Sequence, residues 1–173
     1  MNLILIGFMG TGKTTIGRKA AKGLRFKFTD TDKEIEQVCG MTITQIFKKC
    51  GEVRFRSEEK AAIKRVTQES NQVIATGGGV VLDPENIEML KGNGIIICLT
   101  APPDVIFQRI SQNKSRPLLR TEDPLGTITK MLQERQPLYQ CADFTVETSA
   151  RDSDDVTAEV VRRFRERLEE LHR

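Results

Sequence analysis

The sequence predicts an α/β protein built on a five-stranded parallel sheet, and three features predict it. Five short apolar runs, most of them rich in β-branched residues, alternate with segments of helical periodicity. The first run, Leu3-Ile4-Leu5-Ile6, passes directly into a GxxxxGK[ST] octet, Gly7-Phe8-Met9-Gly10-Thr11-Gly12-Lys13-Thr14. That octet requires a strand before it and a helix after it, and both are present. Strand and helix in alternation favour parallel pairing with helices on the sheet faces, so ligands are expected at the carboxyl ends of the strands.

Each element follows in order. After the octet, Thr15 to Lys22 carries a helical pattern, and Arg25 to Thr29 alternates as a short strand. Thr31 can cap a helix through Glu34, Ile35 and Val38 to Gly40, and Thr42 can cap another with Ile43, Ile46 and Phe47 on one face. Gly51 is expected to break it, with a longer polar helix from about Val53 to Glu69. Gln72 to Thr76 reads as a buried strand stopped by Gly77-Gly78-Gly79, and Asp83-Pro84 as a helix start. Gly94 to Leu99 is the fourth strand and Asp143 to Glu147 the fifth, with helices near 103–112, 124–139 and 154–172.

Composition narrows the function classes. At 173 residues, 38% hydrophobic and 29% charged, the chain is expected to form a single domain over residues 1–173 with an ordinary soluble core. No apolar stretch approaches the length of a membrane span, and no secretory leader pattern precedes the first strand, so a cytoplasmic location and no membrane partner are expected. Cys39, Cys50, Cys98 and Cys141 have no CxxC spacing and suggest neither a zinc site nor a disulfide framework. The single histidine, His172, is the penultimate residue, which leaves carboxylates, lysines and arginines to carry any catalysis. The net charge of +3 is mild, and Arg162 to Glu170 mixes both signs as a solvated helix face does, so no nucleic-acid partner is expected.

The octet points to nucleotide phosphates. Its glycines let backbone N–H groups turn onto phosphate oxygens, the following helix aims its positive end at the same anion, Lys13 adds a charge and Thr14 a Mg²⁺ ligand. Two strand ends are chemically loaded as well. Asp30-Thr31-Asp32 follows the second strand: one carboxylate there can serve a metal through water, and another two residues on can accept the proton of an attacking hydroxyl, although Asp32 can also simply complement a helix dipole. Gly77-Gly78-Gly79 permits close approach by a ligand. Asn113 to Arg120 is basic and lies between two helices, long enough for a cover over the phosphates, with Arg116 the choice for a guanidinium on the γ-phosphate. Arg56 and Arg135, in helical contexts, read equally well as surface charges.

Several of these motifs occur together in one order and spacing. The octet, Asp30-Thr31-Asp32, Gly51-Glu52 with Phe55-Arg56, Ala75-Thr76-Gly77-Gly78-Gly79, Arg116-Pro117-Leu118-Leu119, and Glu134-Arg135 with Pro137-Leu138-Tyr139 resemble shikimate kinases over nearly the whole chain. The resemblance implies a P-loop NTPase core of the nucleoside-monophosphate-kinase type, three-layer α/β/α, with strand order 2-3-1-4-5. It also implies a helical substrate-binding segment near 31–60 and a lid near 112–124. The implied activity is transfer of the ATP γ-phosphate to the 3-hydroxyl of shikimate, with one Mg²⁺ ion, in aromatic amino-acid biosynthesis, and the chain is expected to be a monomer.

The resemblance also implies site roles. Gly10, Thr11, Gly12, Lys13, Thr14 and Thr15 would hold the ATP phosphates, Thr14 and Asp30 would serve Mg²⁺, and Arg109 would lie against adenine. Asp32 would hold the shikimate hydroxyls and act as base, making Lys13, Asp32 and Arg116 the catalytic set. Arg56 and Arg135 would clamp the substrate carboxylate, and Gly78 and Gly79 would present backbone to the ring. Ile43, Phe47 and Phe55 would wall the pocket or serve as helix core. Phe8 and Met9 vary in the family and call for no special role. Ala150 to Asp154 departs from the proline many members carry where backbone meets adenine. Two alternatives stand beside this reading: another small-molecule kinase on the same core, such as a gluconate kinase, and a GTPase switch, since Asp123-Pro124-Leu125-Gly126 matches DxxG while the guanine-reading NKxD is missing.

Overall fold

The computed structural model describes residues 1–112 and 121–173. The five strands are β1 (Asn2–Ile6), β2 (Lys27–Asp30), β3 (Gln72–Ala75), β4 (Gly94–Thr100) and β5 (Phe144–Glu147). All pairings are parallel, in the order β2-β3-β1-β4-β5. β1 is central, with Leu3 opposite Val73 on one side and Ile95 on the other, and it is buried on both faces. That is why it reads as an unbroken apolar run.

The period of two along β1 sorts its side chains into two layers. Leu3 and Leu5 pack with Ile16 and Ala20 of α1 (Lys13–Leu24) and with Val156, Val160 and Phe164 of the C-terminal helix, Ser153–Leu171. Ile4 and Ile6 pack on the opposite face with Ile63 and Val66 of α3 (Ile43–Val66) and with Ile87 and Leu90 of α4 (Pro84–Lys91). Burying each such side chain contributes about 1.5–3 kcal/mol, and the two faces together give the three layers expected. The remaining helices are α2 (Thr31–Cys39), α5 (Pro103–Ser111) and α6 (Pro124–Tyr139), which makes the C-terminal helix α7. The mixed-charge stretch of α7 lies outside, ion-paired at Arg162–Glu166 and Arg167–Glu170. Among the described residues no helix is long and apolar enough to cross a membrane.

Two local expectations shift, and a third holds. β2 begins at Lys27 and not at Arg25, because Arg25 is the left-handed cap of α1 at φ 58°, its N–H returned to Ala21 and Lys22. Asp30, one residue before Thr31, caps α2, its carboxylate accepting from the N–H groups of Asp32 and Lys33. The break expected at Gly51 is present: its backbone is non-helical (φ 81°, ψ 172°) and divides α3 into two arms, the first capped by a reciprocal Thr42–Gln45 box. The kink turns one helix into two arms, so that α2 and α3 close a small core of Ile35, Ile46, Phe55 and Ala62 beside the sheet.

Candidate active site

The phosphate loop lies between β1 and α1, where the central strand ends. Gly7, Gly10 and Gly12 all take positive φ, the backbone that turns peptide N–H groups inward. Lys13 is buried at the base, its Nζ donating to the carbonyls of Gly7 at 2.7 Å and Phe8 at 2.9 Å. The Thr11 hydroxyl donates to the Phe8 carbonyl at 2.8 Å. Gly10, Thr11, Gly12, Lys13, Thr14 and Thr15 line a cavity of about 500 Å³ that also reaches Asp30, Asp32, Gly78 and Arg109.

At one end of this cavity Arg109 of α5 ties two loops together. Its guanidinium donates to the Gly10 carbonyl at 3.1 Å and to both the hydroxyl and the carbonyl of Thr148 at 2.8 Å. Arg151 and Ser153 complete this wall, the first paired to Glu159 at 2.6 Å and the second accepting from Lys19 at 2.5 Å. Segment 150–154, where the family proline is lacking, therefore still faces the cavity, with Ala150 in a left-handed conformation at φ 53°. Arg116 and most of the expected lid, residues 113–120, lie outside the described residues.

At the other end stand the carboxylates. Asp30 accepts from the Thr14 hydroxyl at 3.1 Å, which places a hydroxyl and a carboxylate oxygen side by side at the cavity mouth. Hard oxygen donors of this kind suit Mg²⁺, which keeps several waters and takes few protein ligands. No group of three or more His, Cys, Asp or Glu side chains placed for a metal occurs among the described residues. Such a cage is not what a phosphate-bound Mg²⁺ requires. Asp32, the second residue of α2, lines the same cavity. Its Oδ1 is buried with no hydrogen-bond partner, and burial together with the neighbouring Asp30 raises its carboxyl to about 6, against the opposing pull of Lys13.

Beyond Asp32 lies the triple glycine, and its tightness explains its composition. A Cβ on Gly77 would meet Asp32 Oδ1 at 2.8 Å and Glu59 Oε1 at 3.1 Å, and one on Gly79 would meet the Arg56 guanidinium at 2.5 Å. Only glycine lets these three side chains approach the turn so closely. The Gly77 N–H is held by the Thr31 hydroxyl at 3.1 Å, and the Gly78 carbonyl accepts from Arg135 Nη1 at 3.1 Å and Tyr139 OH at 3.2 Å. Arg56 and Arg135 thus flank the glycines from α3 and α6; neither is a loose surface charge.

Three residues escaped the sequence reading. Glu59 is 1% exposed; its Oε2 accepts from Arg56 Nη1 at 2.8 Å, its Oε1 is buried without a partner, and burial raises its carboxyl. Its signal was the i,i+3 spacing from Arg56. Tyr139, whose phenol is pushed up to about 12 by burial, follows Arg135 at i,i+4. Phe8, expected to have no special role, is 1% exposed and carries the Arg135 guanidinium 5.3 Å above its ring centre. Of the three hydrophobic candidates, Phe55 is buried with its ring 4.5 Å from that of Phe47, and Ile43 packs on the same α2–α3 cluster. Phe55 and Ile43 act as core of the segment that bears Arg56, whereas Phe47 stays exposed at its edge. The DxxG match dissolves into a helix start: Asp123 caps α6 by accepting from the Gly126 N–H at 3.0 Å, with Pro124 at the first turn.

The family model described as shikimate kinase matches residues 9–168. The chain belongs to the shikimate kinase family. A shikimate kinase of Caldanaerobacter subterraneus subsp. tengcongensis is 51% identical over 94% of this chain and 95% of that one. Another, from Thermodesulfovibrio yellowstonii, is 49% identical over 96% of both. Among solved structures, the shikimate kinase from Acinetobacter baumannii in complex with shikimate superposes with a TM-score of 0.89 at 40% identity, covering 93% of this chain and 90% of that one. A gluconokinase from Sinorhizobium meliloti reaches a TM-score of 0.59 at 13% identity over 99% of this chain and 95% of its own, which shows a common fold alone. As a member of the shikimate kinase family the chain is a kinase with ATP as co-substrate.

Proposed function

We propose that this chain transfers the γ-phosphoryl group of ATP to the 3-hydroxyl of shikimate by direct in-line displacement. The observation that carries the reading is the placement of Asp32: it lines the phosphate cavity, and its buried, unpartnered Oδ1 faces the glycine turn that Arg56 and Arg135 flank. A hydroxyl hydrogen-bonded there to Asp32 stands between a phosphate site and two cations.

In this reading Asp32 accepts the hydroxyl proton as the substrate oxygen bonds to the γ-phosphorus and the bond to the bridging oxygen of ADP breaks. Lys13 exchanges its loop carbonyls for phosphate oxygens, and residues 10–15 supply backbone donors. Arg56 and Arg135 bind the substrate carboxylate, for which planar guanidinium forks are suited, while Gly78 and Gly79 meet the ring. Arg109 lies beside adenine, and Arg116 covers the phosphates, an assignment resting on the sequence and its resemblance to the family. Thr14 and, through water, Asp30 would hold Mg²⁺, which when bound neutralises phosphate charge. With His172 the one histidine, far along the chain from these motifs, a phosphohistidine is not part of the scheme. A monomer in the cytoplasm is the setting we propose.

The test is ADP release from ATP with Mg²⁺ in the presence of shikimate, gluconate, nucleoside monophosphates or no acceptor. Release stimulated at least tenfold by shikimate alone supports the proposal; stimulation by gluconate or a nucleotide in its place overturns it.

A further inference from the structure

The Arg135 guanidinium is held from two sides, and only one of the two belongs to the acceptor site as described so far. Below it lies the face of Phe8, in the phosphate loop, 5.3 Å from ring centre to Cζ. Beside it is the Gly78 carbonyl, which receives Nη1 at 3.1 Å. That carbonyl is itself fixed by Tyr139 OH at 3.2 Å, one turn further along the helix that bears Arg135. The two donors fill both lone pairs of the carbonyl oxygen. Gly78 also presses on the phosphate loop, since a Cβ there would meet the Met9 nitrogen at 3.2 Å.

We infer that Phe8 and Tyr139 are positioning residues for the acceptor: they set the Arg135 guanidinium for a carboxylate on the substrate, and through Phe8 the phosphate loop carries part of the acceptor site. The inference rests on the reading that Arg135 binds the substrate carboxylate. The chemistry accounts for the choice of an aromatic at position 8. An aliphatic residue would fill the apolar space between Ile106, Ile110 and Ile128 equally well, but it has no negative face to hold a cation. Burial accounts for Tyr139 in the same way. A phenol out of water needs a partner, and the Gly78 carbonyl is that partner; a phenylalanine would satisfy the packing against Ile6 and Cys98 and leave the carbonyl with one donor fewer.

The experiment compares Phe8→Leu and Tyr139→Phe, each alone and in an Arg135→Ala background, by steady-state kinetics in both substrates. Phe8→Leu is expected to raise KM for shikimate about 5- to 20-fold and Tyr139→Phe about 3- to 10-fold, with KM for ATP within about twofold of the parent. In the Arg135→Ala background both effects on shikimate KM should shrink to less than about twofold, as a double-mutant cycle requires of residues acting through one guanidinium. Should Phe8→Leu fail to fold, Tyr139→Phe decides the matter with the same readouts. Unchanged shikimate KM in the single variants, or an equal rise in KM for ATP, overturns the inference while a large Arg135→Ala defect leaves the acceptor reading standing. An Arg135→Ala protein with parental shikimate KM removes that reading and the inference with it.

Discussion

In the proposed reading, the two halves of the site are built by opposite means. The nucleotide half is local: six consecutive residues, mostly backbone, with Lys13 and the Thr14–Asp30 pair already satisfied inside the protein. The acceptor half is assembled from α2, α3, the glycine turn and α6, and it carries two buried carboxylate oxygens, on Asp32 and Glu59, with nothing bonded to them. Phosphate is recognised wherever a loop of this kind occurs, so its recognition can be generic. A polyhydroxylated acid is recognised by groups whose hydrogen-bonding capacity is unspent until it arrives. Unsatisfied buried acceptors each cost about 1–3 kcal/mol, and this cost is located where selectivity is needed.

The comparison is broken most directly at Asp32. Asp32→Asn is expected to lower kcat by about three orders of magnitude or more while ATP affinity, measured by titration calorimetry, changes less than about threefold. Near-parental kcat would remove Asp32 from the base role. Next come the arginines: Arg56→Ala and Arg135→Ala should each lower kcat/KM for shikimate by about 10²-fold or more, leaving KM for ATP within about threefold. A defect shared equally between the two substrates would erase the boundary between the halves.

The pH dependence sharpens it. Because the folded-state carboxyl of Asp32 lies at about 6, above its ordinary 3.8, the folded protein holds a proton that the unfolded chain has released between those values. The stabilisation is full below 3.8 and is lost as pH rises through 6, where the ionised form that the proposed base role requires takes over. Activity should therefore fall on the acid side with a midpoint near 6. Asp32→Asn should raise Tm at pH 7.5 by roughly 3–6 °C, while at pH 4 the two proteins should melt together. A variant less stable than the parent at pH 7.5 would mean that burial of this carboxylate is compensated by a contact other than those described.

Gly79→Ala makes the smallest expected change. Gly79 sits at φ −99°, which any residue tolerates, so the added methyl acts first on the Arg56 guanidinium, its nearest neighbour. Shikimate KM should rise about 5- to 10-fold with Tm within about 2 °C, since a flexible side-chain end can move aside. Loss of folding would show that Arg56 is part of the framework and not of the site.

The same division governs what was legible in the sequence. The octet, the five strands and their parallel arrangement follow from contiguous patterns, and elements misplaced by a residue or two, such as β2 behind the Arg25 cap, reflect backbone closures that no periodicity marks. Asp30, Asp32 and the triple glycine were visible as strand ends. Arg56 and Arg135 became site residues only through resemblance, because a charge on a helix looks the same whether it faces solvent or a glycine turn. Glu59, Phe8 and Tyr139 stayed hidden for the same reason: each acquires its meaning from a residue far away in the chain. For Phe8 even the family pattern was misleading, as its variability concealed its contact with Arg135.

The central claim is that the acceptor half selects a carboxylate through two arginines that the phosphate half does not use. Comparing shikimate with its methyl ester as acceptors for the unmodified protein tests it in one assay. The ester, neutral but still bearing the 3-hydroxyl, should lose about 10²-fold in kcat/KM with KM for ATP unchanged; equal use of ester and acid would contradict the account.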